Sequence, residues 1–330
     1  MSNPIAVYSG NLVLYWSAII LSLGLLAALL MTLALQRADR NPGFTVWLMM
    51  ALALVLSVPL CRLLHWYCHA EQYGSLAGAL TDYSSGSYVL AGALLGVWLA
   101  AWIATRLDSQ SCASLLDAFA PGAALALAFI RLSALFNNSC RSKIAVTNPL
   151  LQHLPLASPI LNSAGQPDYR FATFFVHFLI LLLLCHWLLR FFFARRKTPM
   201  LSGAQEGNVA RMFLLLYSAS ELVLDSTRYD SSFLPINGFI SLVQIVAAAA
   251  ILGVLIYYSV HSVRANGLHL FHWLIWVGWL VTLSGVGITE YLVQRHGDWY
   301  LPCYGGMGLC CLLMAVLVYR MYKSCCDEGD

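Results

Sequence analysis

Three ionisable residues, Glu221, Asp225 and Arg228, stand four and then three positions apart in "YSASELVLDSTRYD" (217–230), between segments built almost wholly of Leu, Ala, Phe and Val. On an α-helix that spacing gathers all three on one face. A fourth, Arg131 in "AFIRLSALFNNS", is embedded in another apolar run about one turn before its end. Two guanidinium groups and two carboxylates can serve either of two ends. They can neutralise one another as a buried network joining two helices, or the guanidinium forks can hold the oxygens of a phosphate, for which their planar donors are suited. At the depth of a membrane surface, the natural phosphate is a phospholipid headgroup.

The elements that must position these residues are membrane helices. The 330-residue chain is 60% apolar and 10% charged, far below the ~25% charge of soluble domains. Runs long enough to cross the bilayer, roughly 20 residues each, lie near 13–35, 45–63, 87–105, 114–136, 171–193, 210–227, 237–260, 268–288 and 303–322. The expected fold is therefore an all-α polytopic bundle of about nine spans. Because an ionised residue at mid-membrane costs at least ~2.5 kcal/mol, Arg131, Glu221, Asp225 and Arg228 must face the bundle interior or lie near its surface. Placing the N-terminus outside puts Arg37, Arg40, Arg106, Arg190, Arg195, Arg196, Lys197, Arg211, Arg264, Arg320 and Lys323 on the inner side, 11 of the 18 basic residues. Positive charge favours the cytoplasmic face, so this orientation is preferred, with "RFFFARRK" (190–197) the strongest anchor. The first run lacks a basic leader and reads as a retained anchor, not a cleaved signal.

Two longer connections would lie outside: 64–86, with "HWYCHAEQYG" and "TDYSSGSY", and the polar, Pro-rich 137–170, which follows Arg131 directly and would roof the spans on either side of it. There is no internal repeat of the kind transporters show. The ten cysteines form no metal-ligand pattern, and Cys61, His65, Cys68 and His69 read as packing or surface residues before they read as a zinc site. Trp273, Trp276 and Trp279 read as an interfacial or packing stripe. A net charge of +3 offers no footprint for nucleic acid. No metal or cofactor is expected.

The chain resembles the prolipoprotein diacylglyceryl transferases, bacterial membrane enzymes that move diacylglyceryl from phosphatidylglycerol to a prolipoprotein cysteine. Three stretches carry the likeness: "AVYSGNLVLYWSAIILSLGLLAALLM"; "AGALLGVWLAAW" with "LLDAFAPGAALALAFIRLSALFNN"; and "LYSASELVLDSTRYDSSFLPINGFISLVQIVAAAAILG". The last is similar to the family's L-Y-x-x-x-R-F-x-x-E-F-x-R and the F-L-S-x-G-Q-like segment after it. The resemblance spans about residues 5–260. It implies a transferase-like seven-helix core over 1–260, with 261–330 adding two spans and a short tail.

By position, the resemblance assigns Arg131, Asp225 and Arg228 to catalysis and implies Asn137 and Gln244 as substrate-binding residues; Glu221 and Tyr217, in the same charged stretch, are expected to bind substrate beside them. It implies phosphatidylglycerol and lipobox-bearing prolipoprotein signal peptides as partners, and the bacterial plasma membrane as location. The chain also departs from the family. Its H-G-G becomes Ala91-Gly92-Ala93, R-x-G-N becomes Arg131-Leu132-Ser133-Ala134, a glutamate is missing from "QPDYRFATFFVH", and an arginine has become Glu221. The reaction needs a thiolate, an in-line glycerol carbon, and positive charge for the departing glycerol phosphate. Arg131 and Arg228 supply the last, and Asp225, then Glu221, is the expected base. His153, in the outer segment, is a further candidate, whereas His177 reads as a packed helix residue. The alternative is a degenerate relative that binds phospholipid or lipoprotein without turnover. A transporter would need embedded charge toward both faces, and charge is embedded only toward one.

Overall fold

The computed structural model describes residues 4–9, 12–39, 43–73, 75–81, 89–108, 110–137, 139–161, 166–197, 206–234, 238–296 and 299–326. Most of "TDYSSGSY" and Arg40 lie outside the described residues. The long elements are α1 (Trp16–Ala38), α2 (Phe44–Cys68), α4 (Leu90–Asp108), α5 (Cys112–Ser133), α7 (Thr173–Lys197), α8 (Asn208–Thr227), α9 (Leu242–Asn266), α10 (Leu270–His296) and α11 (Tyr300–Cys326), with short helices α3 (Leu76–Thr81) and α6 (Pro149–Gln152) between them. Eight of the long helices are apolar enough to cross a membrane by length and composition. The exception is α8, which carries the charges. It packs against α5, α7, α9 and α11, so its polar residues are sheltered by protein and not by lipid. Outward faces are apolar instead: Val55 and Leu183 are each 70% exposed, as expected where the surrounding medium is hydrocarbon.

Helix α2 runs to Cys68, past the end of the expected 45–63 run. It crosses α4 closely because Gly92 and Gly96 present no side chain there. A Cβ on Gly92 would lie 2.4 Å from Cys61 N, and one on Gly96 would lie 2.6 Å from Ser57 Cα. Small residues four apart are the usual device for bringing membrane helices together. Here they also fix the position of neighbouring Ala91.

Helices α5 and α8 run parallel and are pinned at two levels. Near one end, Asp117 on α5 is fully buried and accepts from Gly207 N at 2.7 Å and Ala210 N at 2.9 Å, while also pairing with Arg195. The first turn of α8 thereby finds an acceptor for its unpaired N–H groups. Fourteen residues further along α5 (131 − 117), about 21 Å at the α-helical rise, Arg131 meets Glu221 of α8. The segment after α5 forms the strands β3 (Ala157–Leu161) and β4 (Pro167–Phe171), which pair antiparallel, and folds back over this end of the bundle. Strands β1 (Ile5–Ser9) and β2 (Leu12–Tyr15) form a second hairpin before α1. Trp16, which follows it, stacks on Phe136, and that contact places the N-terminal hairpin at the same loop-bearing end.

Candidate active site

At the loop-bearing end the four ionisable residues separate into two clusters. In the deeper one, Arg131 Nη2 donates to Glu221 Oε1 at 2.6 Å, with the side chains 5% and 2% exposed. His177 of α7 brings Nε2 to 3.0 Å from Glu221 Oε2, within ion-pair range but off the line a hydrogen bond requires. Arg131 Nη1 contacts Cys140 Sγ at 3.1 Å, and Arg131 Nε has no hydrogen-bond partner among the described residues. Tyr217, one turn before Glu221, is buried and stacks between Phe213 and His177.

In the shallower cluster, Arg228 Nη1 lies 3.3 Å from Asp225 Oδ1, and Arg228 Nε donates to Asp230 Oδ1 at 2.9 Å. Asp225 Oδ2 also accepts from Ser241 Oγ at 2.5 Å. The side chains of Arg228 and Asp230 are 15% and 26% exposed, so this is the accessible half. Burial pushes the Asp230 carboxyl upward, but the Arg228 hydrogen bond and charge, with the Cys140 amide, outweigh it and hold the group below the ordinary carboxylate range. Burial lowers the pKa of Lys143 nearby, against the opposing pull of Glu290 and Asp225.

The expected column on one helical face is corrected at its last member. Helix α8 ends at Thr227, and Arg228 is extended, with φ −78° and ψ 147°. Departure from the helix lets its guanidinium reach both Asp225 and Asp230. The Arg131 and Arg228 guanidiniums serve different carboxylates. They are linked through Cys140, whose thiol contacts Arg131 and whose amide donates to Asp230 Oδ2 at 3.0 Å, and each has a carboxylate partner. Cys140 has φ +54°, a left-handed conformation costing a cysteine roughly 1–2 kcal/mol. The turn aims its thiol and its amide at the two clusters.

The other residues singled out in the sequence fall in different places. Asn137 is exposed, and its side-chain oxygen accepts from the Ser139 amide at 3.0 Å and from the Ser139 hydroxyl. Gln244 is buried at the start of α9, where its side chain accepts from Ser241 N at 2.9 Å while Ser241 Oγ accepts from Gln244 N, a reciprocal cap. It therefore holds the helix that carries Ser241 to Asp225. His153 is exposed at the end of α6. Sequence reasoning weighed His177 as a packed helix residue and passed over Cys140 and Asp230. Of the latter two a signal existed only for Asp230, an acid two residues from Arg228 in a charged stretch.

Glu221 and Tyr217 also face a cavity of about 180 Å³ between α4, α8 and α9, otherwise lined mainly by apolar residues including Leu94, Val246 and Ala247. Ala91 forms part of the opposite wall. A carboxylate, a phenol and the Ser218 hydroxyl on a mainly apolar wall suit an amphiphile with one polar end.

A family model for prolipoprotein diacylglyceryl transferase matches residues 4–260. The chain is 24% identical over 235 residues to a phosphatidylglycerol–prolipoprotein diacylglyceryl transferase of Dehalococcoides mccartyi, covering 70% of this chain and 84% of that one. It is 26% identical over 239 residues to the protein of the same name from Gloeobacter violaceus, with 69% and 82% covered. For that of Listeria welshimeri the identity is 23% over 237 residues, with 69% and 80% covered.

Proposed function

We propose, because this chain belongs to the prolipoprotein diacylglyceryl transferase family, that it transfers diacylglyceryl from phosphatidylglycerol to the lipobox cysteine thiol of a prolipoprotein signal peptide in the bacterial plasma membrane. The loop-bearing end then faces outward, where both the headgroup and the emerging cysteine are found. In the reaction a thiolate sulfur bonds to the glycerol carbon of the diacylglyceryl unit, the bond from that carbon to the phosphate oxygen breaks, and glycerol phosphate leaves with the electron pair. The thiol proton passes to a carboxylate.

The observation carrying the assignment of roles is the separation of a partly exposed Arg228 from a buried Arg131–Glu221 pair beside the cavity. Arg228 is the group a phosphate can reach, exchanging the partly exposed Asp230 for the ligand oxygens and stabilising charge as glycerol phosphate departs. Asp225, clamped by Ser241 and Arg228, orients that guanidinium. Glu221 borders the cavity and is the proton acceptor supported by the geometry, with Arg131 and His177 setting its charge and direction. This ordering reverses the preference for Asp225 as base. Glu221 lines the cavity and its Oε2 accepts no hydrogen bond among the described residues, whereas both oxygens of Asp225 are hydrogen-bonded.

The test is transfer in nanodiscs. Purified protein with phosphatidylglycerol and a lipobox peptide is expected to add one diacylglyceryl mass to the peptide cysteine, and Arg228→Ala is expected to abolish the adduct. Folded wild-type protein that produces no adduct over a broad pH range would overturn the proposal.

A further inference from the structure

The α10–α11 hairpin lies beyond residue 260, where the family match ends, yet it reaches the backbone on which Arg228 is mounted. Helix α11 packs along α8 and α9. At the loop-bearing end Tyr304 donates its hydroxyl to Ser226 O at 3.1 Å. The next carbonyl, Thr227 O, accepts from Lys143 N at 2.9 Å and Ser142 Oγ at 3.0 Å. These are the last carbonyls before Arg228, in the turn where a helix leaves such oxygens without partners of its own. One is held by the hairpin directly, and the other by the loop residue Lys143.

The hairpin holds Lys143 as well. Its ammonium donates to Gln294 Oε1 at 2.9 Å and lies 4.8 Å from the centre of the Phe233 ring. Gln294 Nε2 in turn donates to Glu290 Oε1 at 2.8 Å. An amide between a carboxylate and an ammonium has one sensible orientation, with nitrogen toward the acid and oxygen toward the cation. Glu290 is 2% exposed and its Oε2 has no hydrogen-bond partner among the described residues. Such an arrangement is costly if it serves packing alone, because an apolar residue would avoid the desolvation.

We propose that Tyr304, Gln294 and Glu290 are positioning residues for the transfer reaction, and that the appended hairpin fixes the carboxyl end of α8 and so aims the Arg228 guanidinium. The inference rests on the transferase reading for its catalytic consequence, but its structural half stands separately. Lys143 and Tyr229 are the amides to watch, since they donate to Thr227 O and Arg141 O across the junction between loop and helix.

The experiment compares full-length wild type, Gln294→Leu, Tyr304→Phe and Lys143→Met, with Lys143→Arg as the conservative variant, all in phosphatidylglycerol nanodiscs. Hydrogen exchange is read in peptides covering 139–147 and 226–232, alongside kcat and KM for lipopeptide formation. The three disruptive variants are expected to exchange faster in both peptides and to lose about ten- to a hundredfold in kcat, the scale of a small misplacement of a catalytic group. KM for the peptide is expected to hold, and Lys143→Arg to recover most of the loss. Unchanged exchange overturns the inference whatever happens to transfer. So does unchanged kcat in variants whose exchange has risen. If wild type itself transfers nothing, the transferase reading fails and the exchange comparison alone decides whether the hairpin holds this end of α8.

Discussion

The Arg131–Glu221 pair offers the most quantitative check on this site. Its atoms meet at 2.6 Å with the side chains 5% and 2% exposed, so water screens it little. Two unit charges 4 Å apart attract by about 4 kcal/mol at an effective dielectric near 20. Stranding one member of a buried pair costs about 3–5 kcal/mol, whereas replacing both with apolar residues of similar size is often neutral. The two single variants are not equivalent. Arg131→Met leaves Glu221 beside His177, 3.0 Å away, so its cost belongs at the low end of that range. Glu221→Leu leaves Arg131 without a carboxylate partner among the described residues, beside the weakly accepting Cys140 thiol, so its cost belongs at the high end. The double variant is expected to lie within about 1–2 kcal/mol of wild type, giving a coupling of several kcal/mol. Equilibrium unfolding in mixed micelles measures all four proteins. The double variant, although folded, is expected to transfer no lipid, which separates stability from chemistry. A coupling below about 1 kcal/mol, the range of exposed ion pairs, would refute the buried-pair argument.

Three further outcomes follow from the same geometry. Because Ala91 lines the cavity facing Tyr217 and Glu221, Ala91→His should be accommodated at less than the ~1–3 kcal/mol usual for overpacking a full core; a larger loss in thermal unfolding would show that the cavity cannot take the ring. Gln244→Glu keeps an acceptor for the Ser241 amide and should retain stability and transfer, whereas Gln244→Leu should lose about 0.5–2 kcal/mol, the scale of an N-cap. Equal loss of transfer in both, without loss of stability, would instead make Gln244 a substrate ligand. The depressed pKa of Asp230 means its contribution to the loop–helix junction is fully present above the ordinary aspartate value of ~3.9 and disappears as pH falls through the lower folded value. Exchange in the 139–147 peptide, corrected for intrinsic rate, should therefore stay flat from pH 7 to 5, and Asp230→Asn should raise it throughout that window. A rise in wild type already near pH 5 would contradict the assigned direction.

Much of this protein follows from local properties of its chain. Apolar runs of membrane-spanning length mark the long helices, because hydrocarbon admits only backbone that satisfies its own hydrogen bonds, and the quoted motifs are enough to identify the family. Embedded charges also single out Arg131, Glu221, Asp225 and Arg228, since each is too costly to keep without a purpose. What the sequence left open is who pairs with whom. Arg131 and Glu221 are 90 positions apart, and they meet because α5 and α8 lie parallel with Asp117 pinning their other end. His177 read as ordinary packing until α7 was seen to bring it to Glu221. Spacing set Arg228 on the helical face of Glu221 and Asp225, but the loop folds back onto Thr227 while Tyr304 of α11 binds Ser226, the helix ends there, and the guanidinium turns toward Asp230. Gln244 matches a motif position and also caps α9, a contact set by the backbone of its own first turn. Hydropathy and spacing act over a few residues, whereas ion pairs form wherever helix packing and loop closure bring charges together, so the division into a partly exposed and a buried arginine is a property of the tertiary structure.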